Sequence, residues 1–162
     1  MLVVDTSAFI SLAIGGVLDS VVNEFDVVTT EAVVDGLEAT AQYDDRHGDG
    51  ANSVLESIDY NEVVDVTGDE FVTSRINQGE ASCVTTVREL DAVFLITDDY
   101  RALPELQQLV DADAALSPIV LRALVKRGTL GDDAVKAAFE TIAERRDWLG
   151  APIYRYTRNL FE

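Results

Sequence analysis

The chain has 162 residues, room for one domain over residues 1–162 and too few for two ordinary ones. A hydrophobic content of 48% excludes overall disorder, and no run of eighteen apolar residues is present to span a membrane. Thirty acidic residues against twelve basic ones give a net charge of −18, a surface that repels itself in dilute salt and is relieved as salt screens it.

Leu2-Val3-Val4 reads as a short buried strand, followed by a helix over 7–14. Gly15-Gly16 interrupts the pattern, and 17–25 resumes it as a second helix. Residues 26–29 form a candidate strand, with Thr30 placed to cap a helix that runs to Tyr43. The polar stretch 44–50 reads as the loop that ends it. Residues 63–66 and 93–96 are further short apolar strands. Between them, 80–90 carries helical spacing, with Ala81, Val84 and Val87 three apart. Residues 112–116 make a weaker strand, and helices over 118–126 and 132–147 close the chain. Alternating strands and helices of this size predict a three-layer α/β/α fold with a mainly parallel central sheet. No internal repeat or low-complexity segment interrupts it.

In such sheets ligands bind just beyond the C-terminal ends of the strands. Two strands here end in acids: Asp5 follows the first, and Asp98-Asp99 follow Phe94-Leu95-Ile96-Thr97. A strand-end acid can also simply start the next helix, where the helix dipole favours it. Thr6 and Ser7 are better caps for the first helix, which leaves Asp5 free to point into the cleft. The Asp98-Asp99 pair stays open to the capping reading. Carboxylates gathered over one sheet edge repel unless a cation neutralises them, so the cluster points to Mg2+ or Mn2+. With one cysteine, Cys83, and one histidine, His47, there is no Ser, Cys or His nucleophile system, internal disulfide or zinc cage to build. Cys83 is expected in the core and His47 in a loop. A phosphatase with an aspartyl nucleophile would also open on Asp5, but it wants a second aspartate where Ser7 stands.

Val3-Val4-Asp5-Thr6-Ser7-Ala8-Phe9-Ile10 resembles the opening strand and first acid of PIN-domain nucleases. Gly79-Glu80-Ala81 at a helix start, then Leu95-Ile96-Thr97-Asp98-Asp99, resembles the later half of that family's site. Ser117-Pro118-Ile119-Val120-Leu121, Arg127-Gly128 and Asp147-Trp148-Leu149 resemble the closing helices of one branch, the VapC-like toxin ribonucleases. The likeness covers almost the whole chain in the right order. It implies catalytic roles for Asp5, Glu80 and Asp98, a metal held by Asp5, Glu80, Asp98 and Asp99, and substrate contacts from Thr6, Ser7 and Thr97. Taken alone, Glu80 in a first turn could do no more than favour the helix dipole, by a few tenths to about 1 kcal/mol. Arg101, after the acid pair, is placed to meet a phosphate.

The family also expects an acid on the helix after the second strand. Setting Val33-Val34 and Leu37 against that helix puts Gly36 where a glutamate normally stands. At about 100° per residue, Val33, Val34, Leu37 and Ala41 define the buried stripe. Glu38 lies nearer that stripe than Asp35 or Glu31, and is the candidate second catalytic acid. The alternative is a boundary residue and a site short of one ligand.

The resemblance implies a metal-dependent endoribonuclease that hydrolyses single-stranded RNA and leaves a 5′-phosphate. Many such proteins resemble the toxin halves of toxin–antitoxin pairs, so an antitoxin protein and a homodimer are expected as partners. A degenerate PIN domain that binds RNA or protein without cutting is the alternative, raised by Gly36.

Only two of the basic residues, Lys126 and Lys136, are lysines, and the acids run along the whole chain. Such a surface resembles those of haloarchaeal proteins and reads as adaptation to a salty cytoplasm; the rival is an acidic, partner-binding or nucleic-acid-mimicking face. The start of the chain lacks the pattern of a signal peptide, which places it in the cytoplasm. At −18 the chain should repel RNA. At high salt attraction and repulsion both shrink, leaving metal bridging and stacking. Arg145, Arg146, Arg155 and Arg158, with Tyr154 and Tyr156, make the C-terminus the least acidic segment, unless they only pack the tail on the domain.

Overall fold

The fold is taken from a computed structural model that describes residues 1–161. Five short strands appear among them: β1 (Leu2–Val4), β2 (Val27–Thr30), β3 (Val63–Val64), β4 (Phe94–Ile96) and β5 (Asp113–Ala115). They form one parallel sheet in the order β3-β2-β1-β4-β5. Val3 stands opposite Val28 on one side and Leu95 on the other. β1 is therefore central and covered on both faces, which is why it reads as a continuous apolar run rather than an alternating one.

The covering helices are α1 (Thr6–Ile14), α2 (Leu18–Glu24), α3 (Glu31–Thr40), α4 (Arg46–Ser57), α5 (Gln78–Leu90), α6 (Leu103–Leu109), α7 (Pro118–Lys126), α8 (Asp132–Arg145) and α9 (Pro152–Arg158). Together with the sheet they give the expected three-layer α/β/α arrangement. One continuous core runs through it, with Leu12, Leu37, Leu95, Ile96, Leu121 and Ile142 fully buried. Cys83 lies in this core as a small apolar side chain. No single helix among the described residues is long and apolar enough to cross a membrane.

The expected loop over 44–50 is a correction, because most of it opens α4. Asp45 caps this helix, its Oδ1 accepting from the Gly48 amide at 2.8 Å. Gly50 is a site of close approach: a Cβ there would meet Ile14 at 3.3 Å and Ile10 at 3.4 Å. The absent side chain lets α4 lie against α1 and bury Ala51 and Val54. Tertiary packing outweighs the roughly 1 kcal/mol that a helical glycine costs. The strand expected over 63–66 shortens to β3, and Asp99 precedes α6 by a turn instead of opening it.

Strand order fixes where a site can form. From β1 the chain winds outward through β2 and β3, then returns to the other side of β1 for β4 and β5. The order reverses between β1 and β4, and a crevice opens at their C-terminal ends. The Asp5 amide donates to Ile96 O at 3.0 Å and the Thr97 amide to Ala115 O at 3.0 Å. Asp5 and Thr97 thus stand one step beyond the paired strands, side by side at this crevice.

Candidate active site

A cavity of about 430 Å³ occupies the crevice. Asp5, Thr6, Ser7, Glu80 and Asp99 line it from the sequence-expected set, joined by Thr40, Tyr43, Asp45, His47, Asn77 and Arg146.

Asp5 is both a cap and a cavity residue. Its Oδ1 accepts from the Ala8 amide at 3.0 Å and the Ser7 hydroxyl at 2.8 Å, and its Oδ2 from the Thr97 hydroxyl at 2.6 Å. The expectation that Thr6 or Ser7 would cap α1 is corrected: Asp5 itself is the N-cap. Only the single oxygen pattern of a cap is needed for that, and caps contribute about 1 kcal/mol. Burial meanwhile pushes the Asp5 carboxyl from an ordinary 3.8 to about 6, despite hydrogen bonds from Thr97, Ala8 and Ser7 that oppose the rise. That rise corresponds to roughly 3 kcal/mol against the charged form. Burial thus works against the charge that the dipole of α1 favours.

Glu80 tells the same story more sharply. Asn77 caps α5 in a capping box: Asn77 Oδ1 accepts from the Glu80 amide at 2.8 Å, and Glu80 Oε1 accepts from the Asn77 amide at 3.0 Å. The other oxygen, Oε2, is buried with no hydrogen-bond partner. Burial pushes Glu80 far above the usual carboxylate range, and the nearby Asp5 and Asp99 carboxylates push it further. Ionised together these groups repel, and either a proton or a cation between them relieves the repulsion.

Asp98 and Asp99 part company. Both oxygens of Asp98 turn away to Ser117, Oδ1 accepting from its amide and Oδ2 from its hydroxyl, each at 2.7 Å. Burial raises the Asp98 carboxyl, and the Ser117 bonds oppose that rise. Asp98 thereby ties β4 to the start of α7 and does not line the cavity. Asp99 lines it instead, with its Oδ1 accepting from the Arg101 and Ala102 amides at 3.1 and 3.2 Å. The hydroxyls around Asp5 serve as its scaffold. Thr97 is fully buried, donating to Asp5 and accepting from the Asp99 amide at 3.1 Å, so it holds two acids and is not exposed to a substrate. Ser7 donates to Asp5 and accepts from the Asp98 amide at 2.9 Å. Thr6 faces the cavity, its hydroxyl donating to Val33 O at 3.4 Å.

Glu38 is not brought to the cluster. It is exposed on α3 and does not line the cavity, as are Asp35 and Glu31. The flank of α3 toward the crevice carries Gly36, against Thr6, and Thr40 one turn on, and Tyr43 in the turn after α3 lines the cavity as well. A Cβ on Gly36 would meet the Thr6 hydroxyl at 3.0 Å. Glu38 falls two residues from Gly36, on the opposite flank of the buried stripe. The stripe locates the core side of a helix and leaves open which flank borders a site.

Arg101 is exposed in an adjoining groove of about 220 Å³ with Arg75, and this groove shares Asn77, Glu80 and Asp99 with the main cavity. Of the C-terminal residues, Tyr154 packs the tail: it stacks on Phe139 with ring centroids 5.8 Å apart and hydrogen-bonds Glu140. Arg146, at the end of α8, turns into the cavity. His47, read as a bland loop residue, also lines it from the first turn of α4, beside Asp45. No local sequence signal marks either one; the packing of α4 and α8 around α1 brings them in.

Among the described residues, no three His, Cys, Asp or Glu side chains stand grouped as a ready cage for a metal ion. Glu80, Asp99 and Asp5 still fit a hard cation by their chemistry. Their ligand atoms are carboxylate oxygens, one of them buried and unsatisfied, and an ion of the magnesium type needs only one or two carboxylates because it keeps several waters. The chain matches no curated protein and no solved structure. A family model described as a PIN domain, a family generally of nucleases, matches residues 1–162. The chain belongs to the PIN-domain family.

Proposed function

We propose that the chain is a metal-dependent endoribonuclease acting on single-stranded RNA, with Glu80, Asp99 and Asp5 as the carboxylates that hold Mg2+ or Mn2+. The observation that carries this is the buried, unpartnered Glu80 Oε2 beside two further acids in a cavity at the sheet's switch point. A bound cation of this class supplies an activated water and offsets charge on the attacked phosphate. With such a cation bound, hydrolysis would join a water oxygen to phosphorus and break the P–O3′ bond; the water's proton would pass to solvent and the 3′ oxygen would take one from solvent, giving a 5′-phosphate and a 3′-hydroxyl.

The chain's own residues do the positioning. Thr97 and Ser7 fix the Asp5 carboxylate, and Thr97 also fixes the Asp99 backbone. Arg75 and Arg101 offer charge for a phosphate in the adjoining groove. Tyr100 and Tyr156, exposed with ring centroids 5.8 Å apart, offer faces on which bases stack in high salt. A toxin role with an antitoxin partner, a homodimeric state and life in a salty cytoplasm fit this reading.

A second reading, a PIN domain that binds RNA without cutting, is favoured by Gly36 and by the lack of a ready three-ligand cage among the described residues. Incubating end-labelled single-stranded RNA in molar potassium chloride, with manganese or with a chelator, separates the two. Manganese-dependent fragments with 5′-phosphates support the ribonuclease. RNA that is bound and never cut supports the binding module and overturns our reading.

A further inference from the structure

Arg146 is a cation in the acid-lined cavity of a protein with few cations. It is half-buried, lines the cavity beside Asp5, Glu80 and Asp99, and feels the charges of Asp98 and Asp5. Burial disfavours its charge, and those two carboxylates oppose that effect. Yet it makes neither an ion pair nor a side-chain hydrogen bond with a described residue. A guanidinium whose only task was to neutralise Asp98 or Asp5 would close onto one of them, as a fork matching a carboxylate. Each oxygen of Asp98 is already held by Ser117, and no bond from Arg146 joins them. Asp5 Oδ1 already accepts from Ser7 and Ala8, and its Oδ2 accepts from Thr97 and keeps one acceptor position, the one a cation would take. Arg146 is left lining the cavity that Asp5, Glu80 and Asp99 also line.

We infer that Arg146 grips a non-bridging oxygen of the RNA phosphate seated in the cavity, the phosphate whose bond is cut. The inference rests on the ribonuclease reading and adds the group that selects a phosphate at all. The acids repel an anion, and a guanidinium set among them gives that anion one oriented partner. Two further cations, Arg75 and Arg101, line the adjoining groove and suit a neighbouring phosphate of the same strand.

The test is a methylphosphonate scan of a single-stranded RNA oligonucleotide, which removes the charge of one phosphate at a time. Binding is followed by fluorescence anisotropy in molar potassium chloride, with calcium in place of manganese, for the parent, Arg146→Gln and Arg146→Lys. One position should weaken the parent's binding by about tenfold or more. Arg146→Gln should lose that sensitivity at that position alone, and Arg146→Lys should keep part of it because charge remains without the fork. Sensitivity in Arg146→Gln equal to the parent's, or no phosphate-sensitive binding by the parent, overturns the assignment. So does a variant that shifts only melting temperature or manganese affinity, since that marks a structural role. Cleavage by the parent with manganese, scored separately, tells the two claims apart: a lost phosphate contact in Arg146→Gln without cleavage by the parent sinks the ribonuclease reading and leaves the Arg146 contact standing.

Discussion

Replacing Asp5 by asparagine should make the metal-free protein more stable, although it removes a residue with three hydrogen bonds. Asparagine Oδ1 can still accept from the Ala8 amide and the Ser7 hydroxyl, and its Nδ2 can donate to the Thr97 hydroxyl, which today donates to Asp5. What disappears is a buried charge. The folded carboxyl titrates at about 6 against 3.8 in the open chain, so its pKa is raised by folding. Below the lower value both states are protonated and no penalty exists. The penalty grows as pH rises from 4 to 6 and is complete above that, at roughly 3 kcal/mol. Reversing the Thr97 bond costs about 1 kcal/mol, leaving a gain of about 2 kcal/mol. For a domain of this size that is a rise of about 4–8 °C in melting temperature. Thermal melts of parent and Asp5→Asn, in molar potassium chloride with a chelator, should show that gain near pH 7.5 and its disappearance near pH 4. Added manganese should then raise the parent far more than the variant. A variant that melts below the parent at neutral pH without metal would refute the reasoning, because the carboxylate would then be serving the fold.

Glu38→Gln and Asp35→Asn, both exposed on α3, should cut RNA like the parent and melt within about 0.5 kcal/mol of it; a lost cleavage rate in Glu38→Gln would restore it as a site acid. Asp99→Asn should slow manganese-dependent cleavage at least about a hundredfold with little change in melting. Asp98→Ala, which strips both partners from Ser117, should instead lower stability by about 1–3 kcal/mol, read by chemical denaturation. The melting temperature should climb as potassium chloride rises from dilute to molar, because screening relieves a charge of −18; a flat or falling curve would favour an acidic face kept for a partner.

The sheet was legible because its signal is local. Three apolar residues before Asp5 and three before Thr97 can be read as strands without knowing the fold, and their ends locate the crevice. Glu80 was legible through its place after Gly79, and the capping box that holds it is itself a sequence pattern, Asn77 with Glu80 three residues on. The choice between Asp98 and Asp99 was not, because it depends on Ser117 nineteen residues away, whose amide and hydroxyl claim both oxygens of Asp98. Glu38 misled for a related reason. The apolar stripe of α3 has two flanks, and only the packing of Thr6 against Gly36 tells which borders the cavity. Arg146 and His47 lie on helices that reach the site by packing against α1, and adjacent residues give no hint of it. The helix α4 was hidden by Gly48, which lies against the backbone of Thr40 and Tyr43, and by Gly50, whose local cost is outweighed by a contact with α1.

One titration meets the central claim head on: manganese added to the protein and single-stranded RNA in molar potassium chloride, with bound metal followed by electron paramagnetic resonance and the initial cleavage rate taken from the same samples. Our account predicts that the rate follows the bound metal along one curve, and that Glu80→Gln, which keeps the capping box and removes the carboxylate a cation would bind, flattens both. Cleavage that persists in chelator, or metal binding and cleavage that survive unchanged in Glu80→Gln, would contradict it.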